Sequence, residues 1–185
     1  ESALPTMENN IVPFFSSLDE SASQVNTEVM IGSVYQSPES GKLFNSIVTL
    51  GNPQQSYRLD TDNRYEKHHL VPFGEYVPLE DLLRPLNSVF NLPMSAFQSG
   101  AEIQPALLSK GRSFAPAICY EIIFGEQVRK NLKKETGFLL TISNDAWFSE
   151  WGKRQHFEIA KLRAVEYGIP LIRSANSGAK GLGAS

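Results

Sequence analysis

Short apolar runs alternate with helical segments in the second half of the chain, and this alternation restricts the possible folds more than any other feature. Three runs have the composition of buried strands, namely Phe114–Tyr120, Phe138–Ile142 and Ile169–Ile172. A polar segment, Gly125–Lys134, and an amphipathic one, Arg154–Tyr167, lie between them and are predicted to be helices. Strands that alternate with helices in this way predict a layered α/β domain with a mixed sheet.

The first half of the chain predicts a β-hairpin. Glu28–Tyr35 and Phe44–Leu50 are rich in strand-forming residues, and the turn-forming residues 36–42 separate them. Tyr57–Leu59 is predicted to extend the same sheet. After a loop broken by proline and glycine, a short helix is predicted at Leu79–Leu83, because proline is tolerated just before it and stops it just after.

Composition excludes several classes of function. Lys and Arg number 17 against 20 Asp and Glu, and the resulting net charge of −3 disfavours a nucleic-acid-binding face or a polybasic membrane contact. The single cysteine excludes an internal disulfide, and three histidines leave little for a zinc site. No run approaches the roughly 18 apolar residues of a membrane-spanning helix. With 185 residues, the chain is predicted to form a single domain.

Cys119 is the first candidate for chemistry. It ends an apolar strand and precedes Tyr120, Glu121 and a polar helix. Reactive groups of α/β proteins collect at the carboxyl ends of strands, where a tight strand-to-helix turn presents a nucleophile. The alternative is structural, because a lone cysteine in an apolar strand is usually a small buried residue. The residues alone leave both interpretations open.

The loop that precedes the predicted short helix is the second candidate. Residues 65–78 hold Lys67, His68, His69 and Glu75 within a stretch that proline and glycine interrupt. Periodic packing does not explain this concentration of polar side chains. The segment is therefore either part of a site or a solvated surface loop.

A third candidate follows the strand predicted at Phe138–Ile142. Ser-Asn-Asp at residues 143–145 can simply cap a turn, with Trp147 and Phe148 packed over the edge of the core. Alternatively, the two aromatic residues form an apolar wall beside the strand ends. His156, at the start of the amphipathic helix, is predicted to be a surface or structural histidine rather than a base.

These segments together resemble the carbon–nitrogen hydrolase (nitrilase) superfamily, whose signature is a Glu, a Lys and a Cys in that chain order. Here the order is Glu1, Lys67 and Cys119. The resemblance is sharper to the periplasmic domain of the apolipoprotein N-acyltransferase family. Three stretches carry it: KHHLVPFGEYVPLEDLLRPL, AICYEIIFGEQVR and LLTISNDAWFSEWGKRQHFEIAKLRAVEYGIPLIRSANSG. The combination favours Cys119 as a nucleophile over a core residue.

The resemblance implies a fold and a set of site residues. The fold is a nitrilase-like α-β-β-α sandwich, with a mixed sheet and helices on the outer face. Residues 1–185 would form one part of that domain, truncated at both ends and separated from the family's membrane helices. The implied catalytic residues are Glu1 as base, Lys67 as stabilising cation and Cys119 as nucleophile. The implied supporting residues are Glu75, Tyr120 and Glu121, and the candidates for an acyl-chain channel are Phe73, Trp147 and Phe148. No metal and no cofactor are implied.

The implied activity is a two-step acyl transfer. Cys119 would take a fatty acyl group from a phospholipid as a thioester, and the group would then pass to the N-terminal amine of a diacylglyceryl-cysteine apolipoprotein. Phospholipid, apolipoprotein and, through helices outside this chain, the membrane are the implied partners, without nucleic acid. The implied location is the periplasmic side of the bacterial inner membrane.

Two alternatives remain at this point. One is a soluble amidase, nitrilase or carbamoylase of the same superfamily, in which water is the final acceptor. The other is an inactive or non-catalytic binding fragment, which would share the fold without the reaction.

Overall fold

Two β-sheets form the middle of the protein. The structure is a computed structural model that describes residues 3–4, 6–76, 97–176 and 181–183, without the side chains of Trp147 and of residues 181–183. The first sheet contains β1 (Val29–Gln36), β2 (Leu43–Leu50) and β3 (Arg64–Glu66) in that order, all antiparallel. The predicted hairpin is therefore confirmed.

The second sheet is mixed, as predicted. Its strands lie in chain order: β4 (Leu107–Ser109), β5 (Arg112–Ile118), β6 (Thr136–Ser143), β7 (Leu171–Ala175) and β8 (Gly181–Gly183). The pairs β5–β6 and β6–β7 are parallel, whereas the outer pairs β4–β5 and β7–β8 are antiparallel. The parallel centre brings the carboxyl ends of β5 and β6 to the same edge of the sheet.

Three α-helices lie among the described residues: α1 (Val12–Gln24), α2 (Gly125–Asn131) and α3 (Glu150–Tyr167). Ser149 caps the N-terminus of α3, where its side chain accepts a hydrogen bond from the Gly152 N–H. Gly168 ends α3 in the left-handed conformation, with φ of 63°, which glycine adopts without a Cβ penalty. Within the part of the chain that the structure describes, no helix has the length and apolarity needed to cross a membrane.

The alternation of side chains along the strands produces four layers. In β2, Ile47 points into the core between the two sheets, whereas Val48 and Leu50 pack with Phe15 of α1. The second sheet behaves in the same way. Phe114, Ile118 and Leu140 face the first sheet, whereas Ala115, Ala117 and Leu139 face the helix side with Ala160 of α3. The predicted α-β-β-α sandwich is thus confirmed.

Several predicted boundaries are corrected. The strand predicted at Tyr57–Leu59 is wrong, and the third strand of the first sheet is Arg64–Glu66 instead. Tyr57 is buried, but its N–H donates to Asp19 Oδ2 (2.9 Å) rather than to a neighbouring strand. The strand predicted to continue to Tyr120 ends at Ile118. The short helix predicted at Leu79–Leu83 lies outside the described residues.

Candidate active site

Cys119 lies at a sharp turn between β5 and a 3-10 helix, Cys119–Ile123. Its φ is 52°, in the left-handed region that a non-glycine residue occupies at a cost of about 1–3 kcal/mol. The residue is 5% exposed and packs in the core cluster between the sheets, beside Ile118 and Tyr65. Burial alone fits a structural cysteine. The strained turn at a strand end is the added feature, and it is typical of a nucleophile elbow.

Lys67 follows β3 directly and is fully buried, with 0% exposure. Its Nζ lies 2.8 Å from Oε2 and 2.9 Å from Oε1 of Glu75, so the ammonium contacts both carboxylate oxygens. A buried charge is stable only when it is paired and hydrogen-bonded, and Glu75 meets that requirement. Two of the residues predicted for the site are therefore brought together.

Glu75 is itself held by three donors. Besides Lys67, the Asn45 side-chain amide donates to Oε1 (2.8 Å) and the Val71 N–H donates to Oε2 (2.8 Å). Burial would raise the pKa of the Glu75 carboxyl, but the charge and hydrogen bond of Lys67, with the Val71 and Asn45 donors, outweigh burial and lower that pKa. Glu75 is consequently an ionised anchor for the lysine at neutral pH.

Glu121 accepts hydrogen bonds from four donors and is 1% exposed. Oε1 accepts from the backbone N–H groups of His68 (2.7 Å) and His69 (3.0 Å), and Oε2 accepts from the Ile118 N–H (2.7 Å). The Tyr65 hydroxyl lies 3.1 Å from both oxygens. The Glu121 side chain therefore contacts residues on both sides of Lys67 and also the last residue of β5.

This arrangement fixes the lysine segment against the cysteine turn. His68 is the neighbour of Lys67, and Ile118 is the neighbour of Cys119, so Glu121 holds the two predicted catalytic residues at one end of the inter-sheet core. Burial raises the pKa of the Glu121 carboxyl, although the N–H donors and Lys67 oppose that effect. Its oxygens are occupied by backbone donors, which suits a structural anchor better than a proton carrier.

Of the other predicted site residues, two pack near Cys119, one is exposed, and two lie wholly or partly outside the described structure. Tyr120 and Phe148 are partly buried and pack against the core cluster that contains Cys119. Phe73 is 56% exposed in the loop before Glu75 and is not among the described residues of that cluster. Trp147 ends a 3-10 helix, Asp145–Trp147, but its side chain is outside the described part of the structure, as is the whole of Glu1.

A buried polar cluster beside Cys119 was not predicted. The His156 Nε2–H donates to the Cys119 carbonyl oxygen (2.9 Å), and Arg173 Nη2 contacts both His156 Nδ1 (3.3 Å) and Asp145 Oδ2 (2.6 Å). His156 was predicted to be a surface or structural histidine, and the structure shows that it is buried. The sequence contains one indication of this cluster, which is the position of Asp145 just after the carboxyl end of a predicted strand.

Two further observations limit the chemistry of the site. Among residues 3–4, 6–76, 97–176 and 181–183, no three His, Cys, Asp or Glu side chains are grouped to bind a metal ion. A cavity of about 470 Å³ opens between the sheets, and its lining combines apolar residues such as Met30, Phe114 and Leu140 with polar ones such as Glu28 and Asn144. Cys119, Lys67 and Glu75 are not in its lining. The cavity adjoins the cluster that contains Cys119, because Phe114 and Leu140 belong to both.

Comparison with known proteins places the whole chain in one family. The family model for carbon–nitrogen hydrolases matches residues 2–185. The chain is 64% identical over 179 residues to an apolipoprotein N-acyltransferase of Haemophilus influenzae, covering 96% of this chain and 34% of that protein. It is 61% identical to an apolipoprotein N-acyltransferase of Pasteurella multocida, with the same coverage of 96% and 34%. The chain therefore spans about a third of the length of these relatives.

Solved structures agree on the fold. A carbon–nitrogen hydrolase from Helicobacter pylori superposes with a TM-score of 0.62 at 15% identity, covering 91% of this chain and 52% of that one. The NitFhit protein of C. elegans superposes with a TM-score of 0.63 at 19% identity, covering 91% and 37%. At these identities the likeness extends to the architecture and not to the reaction.

Proposed function

This chain belongs to the carbon–nitrogen hydrolase family, and from that premise we propose that it supplies the acyl-transfer site of an apolipoprotein N-acyltransferase. The donor is a phospholipid and the acceptor is the α-amine of a diacylglyceryl-cysteine on an apolipoprotein. The reaction takes place on the periplasmic side of the bacterial inner membrane, which other parts of the full-length protein reach. The sequence similarity to the Haemophilus and Pasteurella enzymes supports this choice of substrates.

One observation carries the proposal for the site. Glu121 binds the N–H before Cys119 and the N–H after Lys67, at distances of 2.7 Å each, so a thiol on a strained turn and a buried ammonium are held at one end of the core. A nucleophile and a cation in neighbouring segments suit attack on a carbonyl group, because negative charge develops on the carbonyl oxygen.

In the first step, the Cys119 thiol loses its proton to Glu1 and the sulfur attacks the ester carbonyl of the phospholipid. The carbon–sulfur bond forms and the ester carbon–oxygen bond breaks. The proton on Glu1 passes to the departing alkoxide, and a lysophospholipid leaves. Lys67 and the Tyr120 N–H stabilise the intermediate oxyanion, and loss of one such donor typically slows a reaction by about 10²–10³-fold.

In the second step, the acceptor amine attacks the thioester. Glu1 takes the amine proton, the new amide bond forms, and the sulfur leaves as thiolate and regains its proton from Glu1. Glu75 stays ionised and keeps Lys67 in place throughout, consistent with the lowered pKa of its carboxyl. Phe73, Trp147 and Phe148 contact the acyl chain, and the exposure of Phe73 suits a side chain that meets lipid.

The proposal is tested by intact mass spectrometry of the full-length protein incubated with phospholipid vesicles. We expect a fatty-acyl mass on the peptide that contains Cys119, no such adduct in Cys119→Ala, and a normal adduct in Lys161→Gln, which changes an exposed residue of α3. An adduct that persists in Cys119→Ala would refute the assignment. Adding a diacylglyceryl-cysteine peptide should discharge the thioester onto its amine, whereas release of free fatty acid alone would favour the hydrolase alternative.

A further inference from the structure

Behind the cysteine turn lies a polar cluster to which the proposed reaction gives no role. Ser143, Asp145, His156 and Arg173 are each 6% exposed or less. They come from the end of β6, the following 3-10 helix, α3 and β7. Four polar side chains buried together from four elements are expensive to desolvate, which makes a purely stabilising role a poor explanation.

The hydrogen atoms of the cluster can be assigned from its contacts. A carbonyl oxygen only accepts, so the His156 nitrogen 2.9 Å from the Cys119 oxygen, Nε2, carries the hydrogen. Burial and the adjacent Arg173 guanidinium lower the pKa of His156, and together they outweigh the opposing effect of the Cys119 carbonyl and Asp145, which keeps the ring neutral. Nδ1 then accepts from Arg173 Nη2 (3.3 Å), and the longer contact between Nδ1 and Asp145 Oδ1 (3.4 Å) carries no hydrogen. Arg173 thereby selects the tautomer that donates to Cys119.

Arg173 is in turn held by Asp145. Its Nη2 lies 2.6 Å from Asp145 Oδ2, and the Ser143 hydroxyl donates to Asp145 Oδ1 at 2.6 Å. Burial would raise the pKa of the Asp145 carboxyl, but the Ser143 hydrogen bond and Arg173 outweigh it and lower that pKa. A fixed carboxylate therefore fixes the guanidinium, and the guanidinium fixes the imidazole.

This series of hydrogen bonds ends at one peptide plane, the one that joins Cys119 to Tyr120. The Cys119 carbonyl and the Tyr120 N–H belong to the same planar trans peptide, so they point in opposite directions. A donor that holds the carbonyl on the α3 side consequently aims the N–H to the opposite side. That N–H is the backbone donor proposed for the oxyanion, and it follows a residue with φ of 52°, a strained conformation that the surrounding contacts must hold in place.

We infer that His156, oriented by Arg173 and Asp145, is a positioning residue that aims the Tyr120 N–H at the reacting carbonyl. The inference rests on the proposed function, because it assigns a task within that reaction. His156 touches no substrate and exchanges no proton. Its effect is exerted wholly through the peptide that joins Cys119 to Tyr120.

The test compares His156→Gln with His156→Asn in the full-length protein. The Gln amide nitrogen can occupy the place of Nε2, whereas the Asn amide is one methylene too short to reach the Cys119 carbonyl. With phosphatidylethanolamine vesicles as donor and a diacylglyceryl-cysteine peptide as acceptor, we expect His156→Asn to lower kcat by about 10–100-fold with little change in KM, since a donor to the transition state alone is displaced. His156→Gln should recover most of that loss.

A second measurement distinguishes an effect on the Tyr120 N–H from an effect on the Cys119 sulfur. Alkylation of Cys119 by iodoacetamide uses no oxyanion donor, so its rate should stay within a few-fold of wild type in both variants, as in the exposed control Gln155→Ala. Equal losses of alkylation and acyl transfer in His156→Asn would overturn the inference, and so would unchanged kcat in His156→Asn. If His156→Asn does not fold, the shape-conserving His156→Phe replaces it under the same criteria.

The two proposals fail in different ways. Acyl transfer that survives in Cys119→Ala contradicts the proposed function itself. When Cys119→Ala is inactive and His156→Asn retains wild-type kcat, only the positioning role is wrong.

Discussion

At the scale of single residues, the cysteine turn depends on a carboxylate that does no chemistry. Both oxygens of Glu121 face N–H donors: Oε1 accepts from His68 and His69, and Oε2 accepts from Ile118. The Tyr65 hydroxyl adds a donor that is equidistant from the two. Only a group with two acceptor atoms fits this position, which explains why a carboxyl group is buried here despite its desolvation cost.

Glu121→Gln should therefore be destabilising although it preserves shape. Whichever way the Gln amide is turned, its NH₂ group faces at least one backbone N–H, so a buried donor loses its acceptor at a cost of about 1–3 kcal/mol. The free energy of unfolding from urea titration measures this loss. Tyr65→Phe is the matched control, because it removes one donor and leaves both oxygens in place, with an expected loss of about 1 kcal/mol. Equal stability of Glu121→Gln and wild type would contradict the assignment.

The sequence predicted some of these residues and not others, for reasons of chemistry. Lys67, Glu75 and Cys119 were identified because their motif is specific, and the Lys67–Glu75 contact agrees with that interpretation. The roles of the site residues remain predictions, including that of Glu1, which lies outside the described residues. The contacts of His156 and Arg173 could not be predicted, because His156 lies 37 residues from Cys119 and 17 from Arg173 in the sequence, and these residues meet only when α3 packs on the sheet.

At the scale of elements, the lysine is held in place by a close contact between two backbones. The Gly100 N–H donates to the Lys67 carbonyl oxygen (2.9 Å), and Gly100 is buried against the end of β3. A Cβ at residue 100 would lie 2.5 Å from the Glu66 carbonyl oxygen and 2.6 Å from Glu66 Cβ. These are atoms of the backbone and its first side-chain carbon, so they cannot move aside as a side-chain tip would.

Gly100→Ala should consequently shift β3 and the lysine that follows it. We expect the free energy of unfolding to fall by about 1–3 kcal/mol, the usual cost of overpacking, and the rate of acyl-enzyme formation to fall with it. Gly137→Ala in β6 is the matched control, since its Cβ would meet only the Ser113 carbonyl oxygen at 3.7 Å, an ordinary contact. A Gly100→Ala variant as stable as Gly137→Ala would contradict this prediction, because the end of β3 would then accommodate the extra Cβ with no loss of unfolding free energy.

The elements that the sequence failed to predict each have a physical explanation. The buried positions of α1 are Phe15, Asp19 and Ala22, and a buried aspartate breaks the apolar pattern on which helix prediction depends. Asp19 is there because it accepts from the N–H groups of Gly51 (2.6 Å) and Tyr57 (2.9 Å). The same contact explains why the segment at Tyr57 is not a strand. The strands β4 and β8 have three residues each, too few to show a period.

At the scale of the whole molecule, buried ion pairs beside both sheets join distant parts of the described chain. Arg64 pairs with Glu8 beside the first sheet, and Arg173 pairs with Asp145 beside the second, with side-chain exposures between 0% and 5%. Lys67 and Glu75 form a third pair, with exposures of 0% and 13%. Buried pairs are weak sources of net stability, but removing one partner typically costs about 3–5 kcal/mol. The fold therefore depends on both partners of each pair being present.

This dependence predicts how stability changes with pH. The pKa values of the Glu75 and Asp145 carboxyls are lowered in the folded protein, because their cations and hydrogen-bond donors outweigh burial. Their contribution is thus present above the ordinary carboxyl pKa of about 4 and is lost as the pH falls through the lowered values. The pKa of Glu121 is raised by burial, so its contribution has the opposite sign and stability gains slightly as the pH falls towards about 4.

Urea unfolding at pH 7, 5, 4 and 3 should therefore give a gradual loss of stability below about pH 6.5, where the unfolded state protonates His156 before the folded state does, and a steeper loss below about pH 4. In Glu75→Gln the buried Lys67 ammonium lacks its anionic partner, so this variant should be less stable at pH 7. Gln has no carboxyl to protonate, so the stability of the variant should decline less steeply in acid. Asp60→Asn removes an exposed pair with Arg58 and should change the curve far less, because solvent screens that pair. An acid limb of unchanged slope in Glu75→Gln would mean that other carboxylates carry the acid dependence and that the buried Lys67–Glu75 pair contributes little to the fold.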